Sequence, residues 1–542
     1  MKKVLLFVFF IQIVCLFAQE ALKSTEEEYY DFLSLQGIVE RPTLGYRTLS
    51  DSIWEIPENT EHVWQNNNLG STKVLWQSEK QGNNWFTKGF FHGFKYKLFG
   101  PDWFNSFNTA APYGQNDGAL WQGRGYNTSL TTGARIEGYG FELTFKPMVT
   151  FSQNLGFDYL PGVYGDTHSY FWAGNIDLVQ RFGDNPYFQF DWNDTEIRYS
   201  FYNFTIGFGT QAFWLGPAKL NPILGSNNAG GFPKFDIGLR KTDLIIPGLN
   251  WNLGKIESRI WIAQLSESDY FNNDGIKDKN LFNGFNISFS PSFWPDFTIG
   301  VTKICLTRWG NNFWMYLNPF YSSNDINGIG EDQKASIYFD ITIPKVGFNM
   351  YAEFGLDDYT SNQLGNFFHT FISTFGFQQK FSISKEKMIK GLLFCELNFF
   401  EMSQDFQLQW NYMGFYAHHQ IKEGYTQNGQ IIGAGSGFFG NSQLIGFKIY
   451  IPRTELQLFY HRNVPDMNYL YNKAINNVAS NIIQFYGIVE SKHSFGICAS
   501  FFINKSFHIK NEIDLTFIDD FLFIDKNSKT NFHFLLNLKY NF

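Results

Sequence analysis

The sequence predicts a mainly β chain: a transmembrane antiparallel β-barrel of about 18 strands with a small α-helical plug near the N-terminus. Three observations carry this. In the last stretch, Phe532, Phe534, Leu536, Leu538, Tyr540 and Phe542 share one parity, and Asn531, His533, Asn537, Lys539 and Asn541 the other, with only Leu535 out of place. Strand side chains alternate between two faces, so this segment has one greasy face and one wet one. Second, aromatic residues make up 20% of the chain, yet no window beyond the N-terminus holds the 18 or more apolar residues of a membrane helix. Third, Lys2 and Lys3, the run Val4–Ile11 and the small residue Ala18 read as an export leader, with residues 1–18 expected to be removed.

Composition narrows the function classes. The 63 Phe, 28 Tyr and 15 Trp suit a lipid-facing band with interfacial girdles, and the mean hydropathy of −0.24 means that the apolar residues are dispersed in short pieces. A net charge of −8 gives no electrostatic case for nucleic acid. Cys305, Cys395 and Cys498 lie in strand-like runs without CxxC spacing, which points to isolated thiols and neither a disulfide framework nor a zinc site.

Residues 19–80 are expected to form the plug. Thr25-Glu-Glu-Glu28 reads as a capping box with acidic residues in the first helical turn. Tyr29, Phe32, Leu33 and Leu35 follow as a helical stripe and Gly37 ends it; Ser50 then caps a second short helix carrying Ile53 and Trp54, stopped by Pro57. A piece this small cannot build its own core, so it docks at the periplasmic mouth of the barrel.

Residues 85–542 then form the barrel. Phe141, Leu143 and Phe145 alternate with Glu142, Thr144 and Lys146, and Ile197, Tyr199 and Phe201 with Arg198 and Ser200. Ile337–Ile343 passes through a short turn at Pro344 to Phe348, Met350, Ala352 and Phe354. Phe507, Ile509, Ile513, Leu515 and Phe517 oppose His508, Lys510, Glu512, Asp514 and Thr516, a face ruinous in lipid and comfortable in a wet lumen. Roughly 455 residues at about 25 per strand and connection give the strand count. Short turns should face the periplasm and long loops, including Arg308–Glu331 and the stretch around 424–443, the outside. The expected partners follow: outer-membrane lipid, and the barrel-assembly machinery that inserts such strands.

No catalytic motif stands out, and neither a metal nor a cofactor is expected. His418 and His419 lack metal-ligand spacing. Asp269–Gly275 reads as an exposed turn, because Tyr270 stands where a calcium loop needs an oxygen ligand. Glu353, Asp357 and Asp358 read as a solvated rim. More telling is Arg308–Tyr316, where Trp309, Trp314 and Tyr316 interleave with Asn311 and Asn312. Aromatic faces pack on sugar C–H surfaces and amides satisfy hydroxyls, so these three aromatics are candidate polysaccharide contacts; an interfacial girdle explains the pattern equally well.

Gly207-Phe-Gly-Thr-Gln-Ala-Phe-Trp-Leu-Gly-Pro217, followed by Leu224-Gly-Ser-Asn-Asn-Ala229, Phe232-Pro233 and Gly238-Leu-Arg240, resembles the signature of the capsule assembly Wzi family. The family pattern is approximately Trp-Trp-Gly-Pro-Gly, then Leu-Ser-Asn-Asn-Ala-Arg-Pro. Trp214, Gly216, Pro217, Ser226, Asn227, Asn228, Ala229 and Pro233 match it, whereas Leu215 replaces the second Trp, Ala218 the final Gly and Gly230 the Arg. Further matches are Asn116–Gly125, Gly424–Gly433, and Leu35–Pro42 with Leu49–Trp54. The resemblance implies an outer-membrane barrel with a periplasmic plug, acting as a non-enzymatic lectin that holds capsular or other surface polysaccharide. It adds Trp214, Asn227 and Asn228 to the candidate contacts. Gly216-Pro217 should turn the chain tightly, and the two Asn amides suit either a turn or sugar hydroxyls. A porin or substrate-specific channel is the alternative, since the lumen face is polar.

Overall fold

In the computed structural model the described residues are 24–57, 60–65, 76–77, 93–161, 168–170, 175–272, 274–310, 330–357, 371–401, 414–467 and 488–542. Among them, eighteen antiparallel strands close into one barrel. These are β1 (Lys95–Asn108), β2 (Gly125–Gly138), β3 (Phe141–Phe145 and Met148–Ser152), β4 (Tyr187–Asp191 and Glu196–Phe201), β5 (Phe204–Gly209) and β6 (Lys234–Ile246). They continue as β7 (Trp251–Ser266), β8 (Lys279–Pro291), β9 (Phe297–Arg308), β10 (Glu331–Ile343), β11 (Phe348–Asp357) and β12 (Phe371–Ser384). The circuit ends with β13 (Ile389–Phe399), β14 (Asn441–Ile451), β15 (Thr454–Val464), β16 (Ser491–Phe502), β17 (Phe507–Asp519) and β18 (Lys529–Tyr540). Each strand pairs with the next, and β18 closes on β1 with Phe534 opposite Phe107. Pro147, which has no N–H to give a ladder, marks the break in β3.

Burial runs inside out, as lipid demands. Ile197 is 52% exposed while its neighbour Arg198 is 1% exposed; on β17, Ile513 is 46% and Asp514 0%. The outward row of Phe, Ile, Leu and Tyr would sit against acyl chains, and the inward row is polar. On β18 the predicted parity holds, and Leu535, the exception, is buried on the lumen face.

Eight short turns lie at one end of the barrel, together with the start of β1 and the end of β18; the long connections lie at the other. The N-terminal segment packs at the short-turn end. Its helix, α1 (Thr25–Ser34), begins one residue earlier than the predicted capping box: Ser24 is the N-cap and its Oγ accepts from Glu27 N at 3.2 Å. Glu28 meets Lys448 at 2.5 Å and Glu26 pairs with Lys539, so two first-turn carboxylates are tied to β14 and β18. Tyr29 stacks on Trp64 at 4.1 Å and Phe32 on Tyr450 at 4.3 Å. Asp31 takes Arg41 at 2.8 Å and Lys219 at 2.7 Å; burial opposes its charge, but these cations more than offset that and hold its carboxyl well below the usual range.

The second helix predicted from Ser50 is instead a turn over residues 49–51. Tertiary demand overrides the local signal here. Tyr46–Arg47 forms a two-residue ladder with Trp214–Leu215, and Asp51 is drawn into the lumen. There it completes a row of alternating charges. Arg135 joins Glu137 (2.8 Å) to Glu142 (2.6 Å), and Arg240 joins Glu142 (2.7 Å) to Asp51 (2.7 Å). Arg259 then joins Asp51 (3.1 Å) to Asp236 (2.6 Å), and Arg198 joins Asp236 (2.7 Å) to Glu196 (2.7 Å).

Glu353 also differs from expectation. It is fully buried in the lumen and accepts from Ile223 N at 3.2 Å, while Asp357, also buried, pairs with Lys334 at 2.7 Å. They face a packed interior, not a solvated rim; Asp358 lies outside the described residues, as does the leader expected over residues 1–18.

Replacing Asp51 with Ala should destabilise the docked segment by about 3–5 kcal/mol, because Arg240 and Arg259 keep their buried charges and lose a shared partner. Denaturant unfolding, with limited proteolysis as a probe of residues 24–65, measures this. A loss below about 0.5 kcal/mol would show that the row does not hold the segment in place.

Candidate polysaccharide cleft

Two of the long connections turn back into the barrel. Residues 211–233, between β5 and β6, descend to meet Tyr46–Arg47, and Gly216 makes the tight turn with φ +76° against the Glu353 carboxylate. Glu396 caps the turn that follows, accepting from the backbone N–H groups of Lys219 (2.7 Å), Leu220 (3.0 Å) and Asn221 (2.7 Å). Residues 414–440, between β13 and β14, lie over this segment. Tyr416 Oη donates to Ile223 O at 2.7 Å, Tyr425 Oη to Leu224 O at 2.6 Å, and Ser226 Oγ to Gly433 O at 2.6 Å. The two segments share one apolar core with Trp261, Phe282 and Ile304 of the barrel wall, and this core lies in the lumen.

A third connection, residues 109–124 between β1 and β2, folds over the edge of the pair. Asn116 Nδ2 donates to Leu220 O at 2.9 Å, Gly118 N to Asn227 O at 2.7 Å, and Asn116 N to Asn228 Oδ1 at 3.3 Å. Asn228 Nδ2 in turn donates to Ile431 O at 3.0 Å. Three of the sequence segments singled out along the chain, Asn116–Gly125, Gly207–Arg240 and Gly424–Gly433, thus meet at one place. Where they meet is a polar cavity of ≈ 110 Å³ lined by residues 112–117 and 120–122 together with Asn228 and Gln430.

The lining combines two half-buried aromatics, Tyr113 and Trp121, with the amides of Gln115, Asn116, Gln122, Asn228 and Gln430. Trp121 rests against Phe182 at 5.3 Å. Asn116 sits at φ +62°, a conformation Asn tolerates, and its Oδ1 has no hydrogen-bond partner among the described residues. One carboxyl is present: Asp117 accepts from Gln122 Nε2 at 2.7 Å, and its pKa is pushed up to about 7, chiefly by burial, with the Glu512 charge adding to it and Lys510 opposing it. Amides and flat rings around a small polar space match the surface of a sugar.

The candidate contacts read from the sequence are dispersed. Asn228 lines the cavity. Asn227 bonds Gly118 through its backbone, and it is not part of the lining; its Oδ1 is buried without a partner among the described residues. Trp214 is 1% exposed deep in the lumen, its Nε1–H donated to Ala218 O at 2.7 Å and the Arg47 guanidinium 5.6 Å over its ring. That geometry makes it a packing residue that fixes the descent of residues 211–233. Trp309 is 44% exposed at the end of β9, away from the cavity lining, and Trp314 and Tyr316 lie outside the described residues. Sequence reasoning missed Gln115, Trp121, Gln122 and Gln430, although Trp121, Gln122 and Gln430 stand inside segments already singled out. Gly230, which replaces the Arg of the family pattern, is buried with the space for a Cβ bounded by Asp191 at 3.0 Å and Ala119 at 3.2 Å. His418 lies in a turn where its Nδ1 accepts from Ile421 N at 3.0 Å, a structural use of the ring.

The model of the capsule assembly protein Wzi family matches residues 107–463. No curated protein sequence matches the chain. Among solved structures, the Escherichia coli outer-membrane protein Wzi, described as a carbohydrate-binding β-barrel involved in group 1 capsule assembly, is similar with a TM-score of 0.53 and 13% identity, covering 82% of this chain and 85% of that one. Pseudomonas putida OprB (TM-score 0.37, 12% identity, 82% and 94% covered) and Acinetobacter baumannii OccAB2 (TM-score 0.39, 10% identity, 82% and 97% covered) also align. With the family model spanning most of the barrel and the inside-out burial of its strands, the chain belongs to the capsule assembly Wzi family of outer-membrane β-barrels.

Proposed function

We propose that this protein is a non-enzymatic, lectin-like barrel that binds capsular or other surface polysaccharide in the cleft between residues 112–122, Asn228 and Gln430, and so holds the polymer at the cell surface. The convergence of three connections on one ring-and-amide cavity is the observation that carries this reading. In it the long-loop end faces outward and α1 the periplasm. Carbohydrate binding, the property named for the Escherichia coli relative, is assigned here to this chain's own lining residues. No turnover of the glycan is expected, since the cleft offers hydrogen bonds and ring faces in place of a nucleophile with its base.

Trp121→Ala and Asn228→Ala should each weaken binding of purified surface polysaccharide about tenfold, roughly 1.4 kcal/mol, with the fold intact. Glycan-array or biosensor titration reads this, and unchanged affinity in both variants would remove the cleft from the account. Retention of added polymer by cells lacking the protein should fall as well; undiminished retention would count against the anchoring role.

Asp117 makes the cleft sensitive to pH. Its folded pKa, near 7, lies above the ordinary carboxylate value, so the group is neutral below about pH 6 and gains a charge as pH rises through 7. Binding of an acidic polysaccharide should therefore weaken between pH 6 and 8, and Asp117→Asn should flatten the profile. The same shift makes Asp117 a source of stability that is lost as pH rises from about 4 to 7. An unaltered pH profile in the variant would refute the assignment.

The channel reading rests on the polar lumen, and bilayer conductance separates the two. The core of residues 211–233 and 414–440 sits in the lumen and includes Tyr46 of the docked segment, so conductance of the full chain should be low and should rise once residues 19–80 are removed. A large open current in the full chain would favour the channel.

A further inference from the structure

Just below the long-loop rim, on the lumen face of the last two strands, lies a group of ligands that the cleft does not use. Asp514 on β17 stands directly across the ladder from His533 on β18, which in turn faces Asn108 at the end of β1. Glu512 is two residues from Asp514 on the same face. One oxygen of each carboxylate and one ring nitrogen of His533 lie within 4.8 Å of one another. Asp514 is 0% exposed and, among the described residues, no hydrogen bond of normal geometry reaches either carboxylate oxygen; its polar neighbours are Glu512 and the Tyr113 hydroxyl. A buried, unsatisfied carboxylate beside a second one is costly unless a cation answers both. Lys510 approaches Glu512 only to 3.9 Å.

The orientation of the imidazole supplies an independent argument. Asn108 Nδ2 donates to three carbonyls, of Tyr113 (3.3 Å), Gln122 (3.1 Å) and Gly123 (3.1 Å), which fixes its amide and turns Oδ1 outward. His533 Nδ1 lies 2.7 Å from that Oδ1, so Nδ1 carries the proton and donates. The lone pair is then on Nε2. A histidine held in one tautomer by an oxygen behind it is the arrangement protein metal sites use to aim a ring at an ion.

We propose that Glu512, Asp514 and His533 bind a divalent transition ion, with Zn²⁺ the best fit to one imidazole and two carboxylates. Zinc binding at roughly 2.0–2.2 Å requires the two carboxylates to turn inward from the spacing seen here. The ion ties β17 and β18 together beneath Tyr113, whose ring lies 4.7 Å from that of His533. It leaves a coordination position for water.

The test uses the full-length barrel in detergent, freed of any affinity tag and stripped with a chelator, titrated calorimetrically with ZnCl₂ and CaCl₂. One equivalent of Zn²⁺ should bind in preference to Ca²⁺, and Co²⁺ should give the visible absorption of a bound ion. His533→Gln and Asp514→Asn should each weaken Zn²⁺ about tenfold or more. Zn²⁺ should also raise the melting temperature of the unaltered protein, which keeps the test decisive if a variant misfolds. Absence of saturable Zn²⁺ binding, as expected if the two carboxylates merely share a proton, would overturn the proposal. So would binding undiminished in both variants.

Discussion

The structure depends on charge pairing in a space that lipid cannot reach and where the charged side chains are buried. Nine side chains, from Glu137 through Arg135, Glu142, Arg240, Asp51, Arg259, Asp236 and Arg198 to Glu196, form an unbroken alternation of sign across β2, β3, β4, β6 and β7. Only Asp51 comes from outside the barrel wall. Buried arginines without it would each retain a charge that the interior solvates poorly. Docking of the N-terminal segment is thus a condition of burying those guanidinium groups, and not an ornament on a finished barrel.

The consequences run upward from there. With Asp51 fixed, Tyr46–Arg47 is presented as a ladder partner to Trp214–Leu215, and Glu257 anchors the approach by accepting three backbone N–H groups from Leu44, Gly45 and Tyr46. Gly45 has no room for a side chain, since a Cβ would fall 1.8 Å from the Tyr338 hydroxyl. Residues 211–233 are then committed to the interior, residues 414–440 close over them, and Asn228 arrives opposite Gln430. The cleft is the upper surface of a stack whose lowest course is a row of salt bridges.

Much of the barrel was legible in the sequence because bilayer and lumen impose opposite chemistry on adjacent residues, a pattern of period two that survives without knowledge of the tertiary fold. The terminal strand and the Phe141–Lys146 alternation came from that constraint, and the strand number from the length of chain left to share among such strands. Where another element supplies the partner, the pattern fails. Ser50–Trp54 has the local signals of a helix yet serves as a strap, because Asp51 and Trp54 are claimed by the lumen and by Tyr30. Glu353 reads as solvated next to Asp357, but its surroundings are residues 216–223, more than a hundred positions earlier. In the cleft, Asn228 was found through its motif, and Trp121 stood in a quoted segment without a reason to be chosen. Its role follows from the meeting of three connections, which no spacing in the chain encodes.

The likeness to the Escherichia coli barrel is one of fold, at an identity too low to transfer contacts. At Gly230 the chain lacks the arginine of the family pattern, and Asp191 and Ala119 occupy the space beside it. A cleft built from amides and one readily neutralised carboxyl suits hydroxyl-rich polymer more than densely anionic polymer. The most direct test is a crystal structure of the barrel soaked with an oligosaccharide of the organism's surface polymer. A sugar ring against Trp121, with hydroxyls on the amides of Asn228 and Gln430, is the result expected; density confined to another face, such as that of Trp309, would contradict the account.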